Sequence, residues 1–198
     1  MPCSGQKRMR SAGPTRRQYC KNKRGILPNK TRVTIQSPDP TDGYELNRLI
    51  EKSPPLDSNS VYCNLLQCSH FSDTCISAQM DGRLVGFISG YLMPRRPNTL
   101  FVWQVVVAED ARGQGLANRM LQALLDRPAC SNIDFIETTI TPDNKASQGL
   151  FTQLAATLSA EVKTSAGFDE ILHFNREHSS EELWRIGPIT KDNKGAQT

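Results

Sequence analysis

The residues of this chain best placed to do chemistry form one run, Val105-Val106-Val107-Ala108-Glu109-Asp110-Ala111-Arg112-Gly113-Gln114-Gly115-Leu116-Ala117-Asn118-Arg119-Met120-Leu121. Its pattern is an apolar strand passing through a glycine turn into an amphipathic helix. Gly113 and Gly115 carry no side chain to hold a ligand off the backbone, and Arg112 adds a fixed positive charge. The first amides of a helix opening near Leu116 have no carbonyl one turn back and sit at the positive end of the helix dipole. A phosphate or pyrophosphate would settle there. The turn matches neither G-x-G-x-x-G nor G-x-x-x-x-G-K-[ST], which excludes the common dinucleotide and nucleoside-triphosphate turns. Glycine turns also join strands to helices without any ligand, so the neighbouring residues have to decide.

Read from Arg112 through Gly115 to Ala117, the turn resembles the Arg-x-x-Gly-x-Ala signature of the GNAT acyl-CoA N-acetyltransferases. The stretch Thr138-Thr139-Ile140-Thr141-Pro142-Asp143-Asn144-Lys145-Ala146-Ser147 is similar to that family's next strand and helix entry. The resemblance implies acetyl-CoA as the acetyl donor. It places the coenzyme A pyrophosphate on Arg112, Gly113, Gln114, Gly115, Leu116 and Ala117. The backbone of Val105, Val106 and Val107 would meet the pantetheine and the thioester carbonyl, and Asn144 and Ser147 would meet the pantetheine arm. It also implies the GNAT fold, an α/β domain whose mixed, mostly antiparallel sheet of about seven strands carries helices on both faces. Many relatives place a Tyr in the helix after the Asn as the acid for the departing thiolate. The matching position here is Phe151, which cannot donate a proton.

Acetyl transfer to an amine needs a polarised thioester, an unprotonated amine and a proton for the thiolate. An aliphatic amine of pKa about 10 is protonated at neutral pH, and freeing it costs roughly 4 kcal/mol unless the site helps. Glu109 and Asp110 lie near the turn as candidate bases, and a water chain to Glu137 or Glu181 is an equal alternative. The acid for the thiolate is Tyr62, another residue or solvent.

A narrower resemblance concerns the acceptor. Pro55-Leu56-Asp57-Ser58-Asn59-Ser60-Val61-Tyr62, Phe101-Val102-Trp103-Gln104-Val105, Glu137 to Pro142, and His178 to Pro188 are similar to segments of the diaminobutyrate acetyltransferases of ectoine biosynthesis. That family acetylates the 4-amino group of L-2,4-diaminobutyrate, the step before ectoine ring closure. The resemblance implies substrate contacts at Asp57, Tyr62, Trp103, Gln104, Thr139, His178 and Glu181, with Tyr62, Trp103 and Glu181 as the catalytic candidates. Asp57 and Glu181 would hold an ammonium, and Trp103 would offer its ring face to a cation. Arg95 and Arg96 are candidates by charge alone for the substrate carboxylate. The runner-up acceptors are another amino acid, a polyamine or a protein N-terminus. The resemblance also implies a homodimer.

These residues need elements to hold them. Alternation predicts a strand over Val33–Gln36, and turn residues from Pro38 open a helix that runs through Glu51. A second helix is expected over Ser60 to Phe71. Cys75 to Met80 and Leu84 to Leu92 flank Asp81-Gly82 as a hairpin. After a loop from Pro94 to Asn98, Thr99 to Val107 reads as an apolar central strand ending at the glycine turn, with a helix onward to Arg127. Phe135 to Ile140 is a strand and Lys145 to Leu154 a helix. Ala160 to Thr164 and Ile171 to Asn175 are expected as the closing strand pair. The resulting β-α-α-β-β-β-α-β-α-β-β order calls for a mixed sheet.

At 198 residues one domain suffices. Residues 1 to 38 hold ten Lys or Arg and no acid, leaving fourteen basic against twenty acidic residues beyond. Residues 1–30 read as a disordered basic tail, 31–188 as the acetyltransferase domain and 189–198 as a flexible tail. Clustered cations bind polyanions, yet a plain extension is the favoured account of the tail, so nucleic acid is not expected as a partner. No secretory signal or spanning segment is evident, and the expected location is cytoplasmic, without a membrane partner. Cysteines at 3, 20, 63, 68, 75 and 130 form no C-x-x-C pair, and no metal is expected.

Overall fold

The computed structural model describes residues 32–189. The expectations for the basic tail, and for the C-terminal tail beyond Ile189, lie outside the described residues. Seven strands form one sheet in the order β1 (Val33–Gln36), β2 (Ile76–Met80), β3 (Arg83–Met93), β4 (Arg96–Val107), β5 (Phe135–Ile140), β7 (Glu182–Ile186) and β6 (Val162–Ala166). Every neighbouring pair is antiparallel except β4 and β5. A parallel pair needs a crossover, and α3 (Leu116–Leu125) supplies it, as the glycine turn requires.

The helices α1 (Asp42–Glu51), α2 (Val61–Ser69), α3 and α4 (Lys145–Thr157) cover both faces. Adjacent residues of β2 show this directly. A Cβ added to Gly86 would meet Met120 of α3 and the Ala78 side chain, whereas Gln79 reaches across the other face to Asp42 of α1 at 3.4 Å. Alternating strand side chains therefore feed two cores. The core gathers Leu46 and Ile50 from α1, Phe87 and Ile88 from β3, Met120, Leu121 and Leu124 from α3, and Phe151 and Leu154 from α4. Phe151 is 2 % exposed. Burying it contributes about 2 kcal/mol, so the position that departs from the family's tyrosine is spent on packing.

The closing strand differs from expectation. Residues 171–175 form turns, and β6 pairs instead with Glu182–Ile186. The apolar pair Ile171 and Leu172 that suggested a strand is 60 % and 82 % exposed. The Asp169 carboxylate accepts the Ile171 and Leu172 amides at 2.8 Å each, and the backbone of Asn175 and Arg176 is left-handed. Both features commit the backbone to turns before a ladder can form. Several boundaries also move, among them the end of α3, at Leu125 instead of Arg127, and both ends of α2, now Val61–Ser69. β4 begins at Arg96, so the expected Pro94–Asn98 loop shrinks to a tight connection; β6 begins at Val162; and α4 continues to Thr157. Ile189, expected as the first tail residue, is buried and donates its amide to the Asp134 carbonyl at 2.8 Å.

Candidate active site

The site begins where β4 parts from β5. Their pairing covers only Thr99↔Phe135, Leu100↔Ile136 and Phe101↔Glu137, while β5 stays paired with β7 as far as Ile140↔Glu182. Beyond Phe101, β4 has no strand partner on the β5 side among the described residues, so the backbone of Val105–Val107 opens into a cleft. The joint below the cleft is ionic. Glu137 is 1 % exposed and receives both Arg96 guanidinium nitrogens at 2.5 and 2.6 Å, with Arg185 of β7 on the same carboxylate. Arg185 also lies over the Phe135 ring at 3.7 Å. Burial pushes the Glu137 carboxyl up, but hydrogen bonds and charge from Arg96 and Arg185 outweigh it and hold it below the ordinary carboxylate value. A carboxylate so pinned is a poor proton acceptor, which removes Glu137 from the candidate bases. The same geometry takes Arg96 away from the substrate carboxylate.

At the far end of β4 the chain turns through Glu109–Ala111 into Arg112–Gly115. Gly113 and Gly115 have φ of 74° and 67°, and a Cβ at either would meet nothing within 4 Å. The glycines are thus demanded by backbone conformation, and the space beside them is open. Arg112 folds back and donates from Nε to the Val107 carbonyl at 3.0 Å, holding its charge over the turn. The first helical bond of α3 runs from the Arg119 amide to the Gly115 carbonyl at 3.1 Å, so the amides of Leu116, Ala117 and Asn118 precede any intrahelical partner. Asp110, a candidate base, is exposed and paired with Arg83 at 2.5 Å. Across the cleft Asn144 caps α4, its side chain accepting the Ser147 amide at 3.0 Å. Asn118 joins α3 to α4 through Gln153 at 2.5 Å. The residues read as a coenzyme turn thus share one end of the cleft, which fits an extended anion with a thioester arm running between β4 and β5.

The substrate candidates come from several segments. Trp103 is the residue inserted in β4 where Ser89↔Gln104 gives way to Gly90↔Val102. This bulge leaves its ring 47 % exposed. Thr139 stands on β5 opposite Leu183, two residues beyond the last β4–β5 pair, as Trp103 does on its own strand. Asp57 and His178 meet at 3.7 Å, Oδ2 to Nε2. His178 places Nδ1 at 2.7 Å from the Ser179 carbonyl. A carbonyl can only accept, so Nδ1 carries a proton, and Nε2, facing the Asp57 carboxylate, donates to it only when the ring is charged. The His178 ring packs on Phe174, which in turn meets Phe168 edge-on.

Glu181 is fixed by its backbone: its amide donates to the Phe168 carbonyl at 2.7 Å and its carbonyl accepts from Gly167 at 3.0 Å. A Cβ on Gly167 would lie 2.6 Å from that carbonyl, so only glycine allows the approach. Tyr62, in the first turn of α2, is 70 % exposed. Gln104 uses both ends of its amide within the protein, on Asn59 and on the Asp57 carbonyl. Asn59, a polar loop residue with no pattern of its own, meets Gln104 only through the fold; its position inside the Asp57–Tyr62 segment is its one sequence signal.

Burial pushes the Cys68 thiol up to about 12 and the Cys75 thiol to about 11. Among the described residues no group of His, Cys, Asp and Glu is arranged to hold a metal, and no helix is long and apolar enough to cross a membrane.

Residues 42–155 match the acetyltransferase (GNAT) family. The chain is 53 % identical to the L-2,4-diaminobutyric acid acetyltransferase of Methylotuvimicrobium alcaliphilum, across 83 % of this chain and 97 % of that one. It is 41 % identical to the enzyme of the same name from Halalkalibacterium halodurans, across 80 % of this chain and 84 % of its relative. Among solved structures it superposes with a TM-score of 0.78 and 42 % identity on a diaminobutyrate acetyltransferase of Paenibacillus lautus, covering 82 % of this chain and 98 % of that one. That enzyme was solved with its substrate L-2,4-diaminobutyric acid and coenzyme A. A cleft between parting strands, an open glycine turn at one end and this degree of likeness along nearly the whole of its relatives lead to one assignment: the chain belongs to the GNAT acetyltransferases and, within them, to the L-2,4-diaminobutyric acid acetyltransferases.

Proposed function

We propose that the chain transfers acetyl from acetyl-CoA to the 4-amino group of L-2,4-diaminobutyrate, giving N4-acetyl-diaminobutyrate, the precursor that ectoine ring closure consumes. The observation that carries this reading is the 42 % identity, over 98 % of its length, to an enzyme solved with that diamine and coenzyme A. Acetyl-CoA supplies the thioester whose acyl carbon the free amine attacks, with coenzyme A leaving as thiol. The chain's own part is to hold and orient. The free amides along Val105–Val107 are suited to polarising the thioester carbonyl, and the Arg112–Ala117 turn to neutralising the pyrophosphate.

Asp57 and Glu181 receive an ammonium of the diamine, and Trp103 presents its face beside it. Holding both reactants in one cleft replaces a bimolecular encounter by a positioned one. The amine must shed a proton, a step worth roughly 4 kcal/mol at neutral pH. With Glu137 pinned by two arginines and Asp110 paired with Arg83, the proton passes to Glu181 or Glu109, directly or through water; with Phe151 in the core, Tyr62, another residue or solvent returns one to the thiolate. The working unit is a homodimer, as the family resemblance implies, its place is the cytoplasm, as the sequence pattern suggests, and the product serves osmoprotection through ectoine.

The test is to incubate the protein with acetyl-CoA and diaminobutyrate in competition with ornithine, lysine and spermidine, following thiol release. Preferred release with diaminobutyrate, and an acetyl group found on N4 by NMR, support the reading. Release only with another amine would sink the substrate assignment while keeping the acetyltransferase.

A further inference from the structure

The segment between α1 and α2 carries Asp57 and leads into Tyr62, yet no strand or helix holds residues 52–60 in place. Fixing such a segment costs about 1–2 kcal/mol per residue in backbone entropy, so something else must anchor it. A run of side-chain amides does so. Asn47 of α1, 5 % exposed, donates from Nδ2 to the Asn59 carbonyl at 2.8 Å. Asn59 donates from its own Nδ2 to Gln104 Oε1 at 2.9 Å. Gln104 then donates from Nε2 to the Asp57 carbonyl at 2.9 Å. The run therefore starts in a helix, passes through the loop, reaches β4 beside the inserted Trp103, and returns to the backbone of the residue whose carboxylate meets His178.

We infer that Asn59 is a positioning residue: through Gln104 it fastens the Asp57 loop to the coenzyme-carrying strand and so sets where the substrate ammonium is held. The inference rests on the proposed diamine acceptor for its consequence, though not for its geometry. All three side chains are neutral, so the anchor neither titrates with Asp57 nor competes with it for a cation. The direction of donation is also determined. Gln104 must turn its oxygen to Asn59 because its nitrogen is committed to a carbonyl, which accepts only, and Asn59 must therefore offer its nitrogen. Ser60, the next residue, caps α2 by accepting the Cys63 amide at 3.1 Å, so the fastening of Asn59 also sets the helix that bears Tyr62.

The experiment uses the full chain with Asn59→Ala, Gln104→Ala and the double variant. Hydrogen–deuterium exchange is read on peptides covering 55–60 and 113–118, and steady-state kinetics on both substrates. Exchange over 55–60 should rise in each variant while 113–118 stays as in the wild type. The KM for diaminobutyrate should rise about tenfold, as the loss of one well-made hydrogen bond allows, with the KM for acetyl-CoA changed by less than about twofold. The double variant should be no worse than Gln104→Ala alone, because the two residues act through one contact. Unchanged exchange over 55–60 overturns the anchor. Raised exchange with an unchanged diamine KM overturns its role in placing substrate. Equal rises in both KM values, or losses that multiply in the double variant, overturn the shared path. A wild-type protein inactive on diaminobutyrate overturns the proposed function instead, and leaves the exchange result to decide the anchor.

Discussion

On the proposed reading the coenzyme end of the cleft is nearly one stretch of chain, Val105 to Ala117, and its working groups are backbone amides and one arginine. The diamine end, as proposed, draws Asp57 from a loop, Trp103 from a bulge in β4, Thr139 from β5, and His178 and Glu181 from the long β6–β7 connection. The contrast follows from the ligands. A pyrophosphate asks for many amides converging on negative charge, which a strand, a turn and a helix start supply without side chains. A short diamino acid asks for carboxylates and an aromatic face set at particular distances around it, and side chains of that kind must come from several directions. The first end tolerates change wherever the backbone path survives; the second depends on how separate segments are held together.

Breaking the joint beneath both ends should have the largest effect. Glu137→Gln would leave Arg96 and Arg185 facing each other without their shared carboxylate, and should lower stability by about 3 kcal/mol in urea denaturation, with both KM values rising together. A loss confined to one substrate would show that the joint serves a single end. The carboxyl of Glu137 is held below its ordinary value of 4.5. Its contribution is therefore complete above that value and is lost as pH falls through the lower folded value. The wild type should lose stability on acidification below 4.5 more steeply than Glu137→Gln, and parallel curves would refute the assignment.

Gly115→Val separates the ends. The backbone at φ 67° strains a β-branched residue, whose methyls would also enter the phosphate approach. The expected result is a rise of about a hundredfold in the KM for acetyl-CoA, with diamine affinity nearly unchanged by calorimetry. Unchanged coenzyme affinity would contradict the turn's role. Trp103→Ala should act in the opposite sense and more weakly, raising the diamine KM about tenfold through the lost cation–aromatic contact. An equal loss for coenzyme would mark Trp103 as a support of β4 rather than a substrate contact.

The same contrast explains how far the sequence could be read. Periodicity and turn chemistry yield the strand, glycine turn and helix at Val105–Leu125 almost as they stand, because each element is decided by neighbours within a few residues. The hairpin at Asp81-Gly82 and the strand at Phe135–Ile140 are legible for the same reason. Ile171–Asn175 misleads, since local apolar residues suggest a strand while the Asp169 cap and left-handed residues send the chain into turns. Arg96 is legible as a charge but not as a charge already matched, because Glu137 lies 41 residues away on a parallel strand. Gln104 is legible as part of the substrate region; its commitment to Asn59 and Asp57 exists only once α1, the loop and β4 are packed.

By itself the sequence determined the coenzyme class, the order of elements and the family, since these rest on short runs whose conformation is settled locally and on segments shared with relatives. Tertiary structure decided that β4 and β5 part after Phe101, that Glu137 is spent on two arginines, and that the Asp57 loop is tied to β4 by Asn59 and Gln104. Those facts depend on register and on contacts across dozens of residues, and hydrogen bonds of that range are made only when the whole sheet and its covering helices come together.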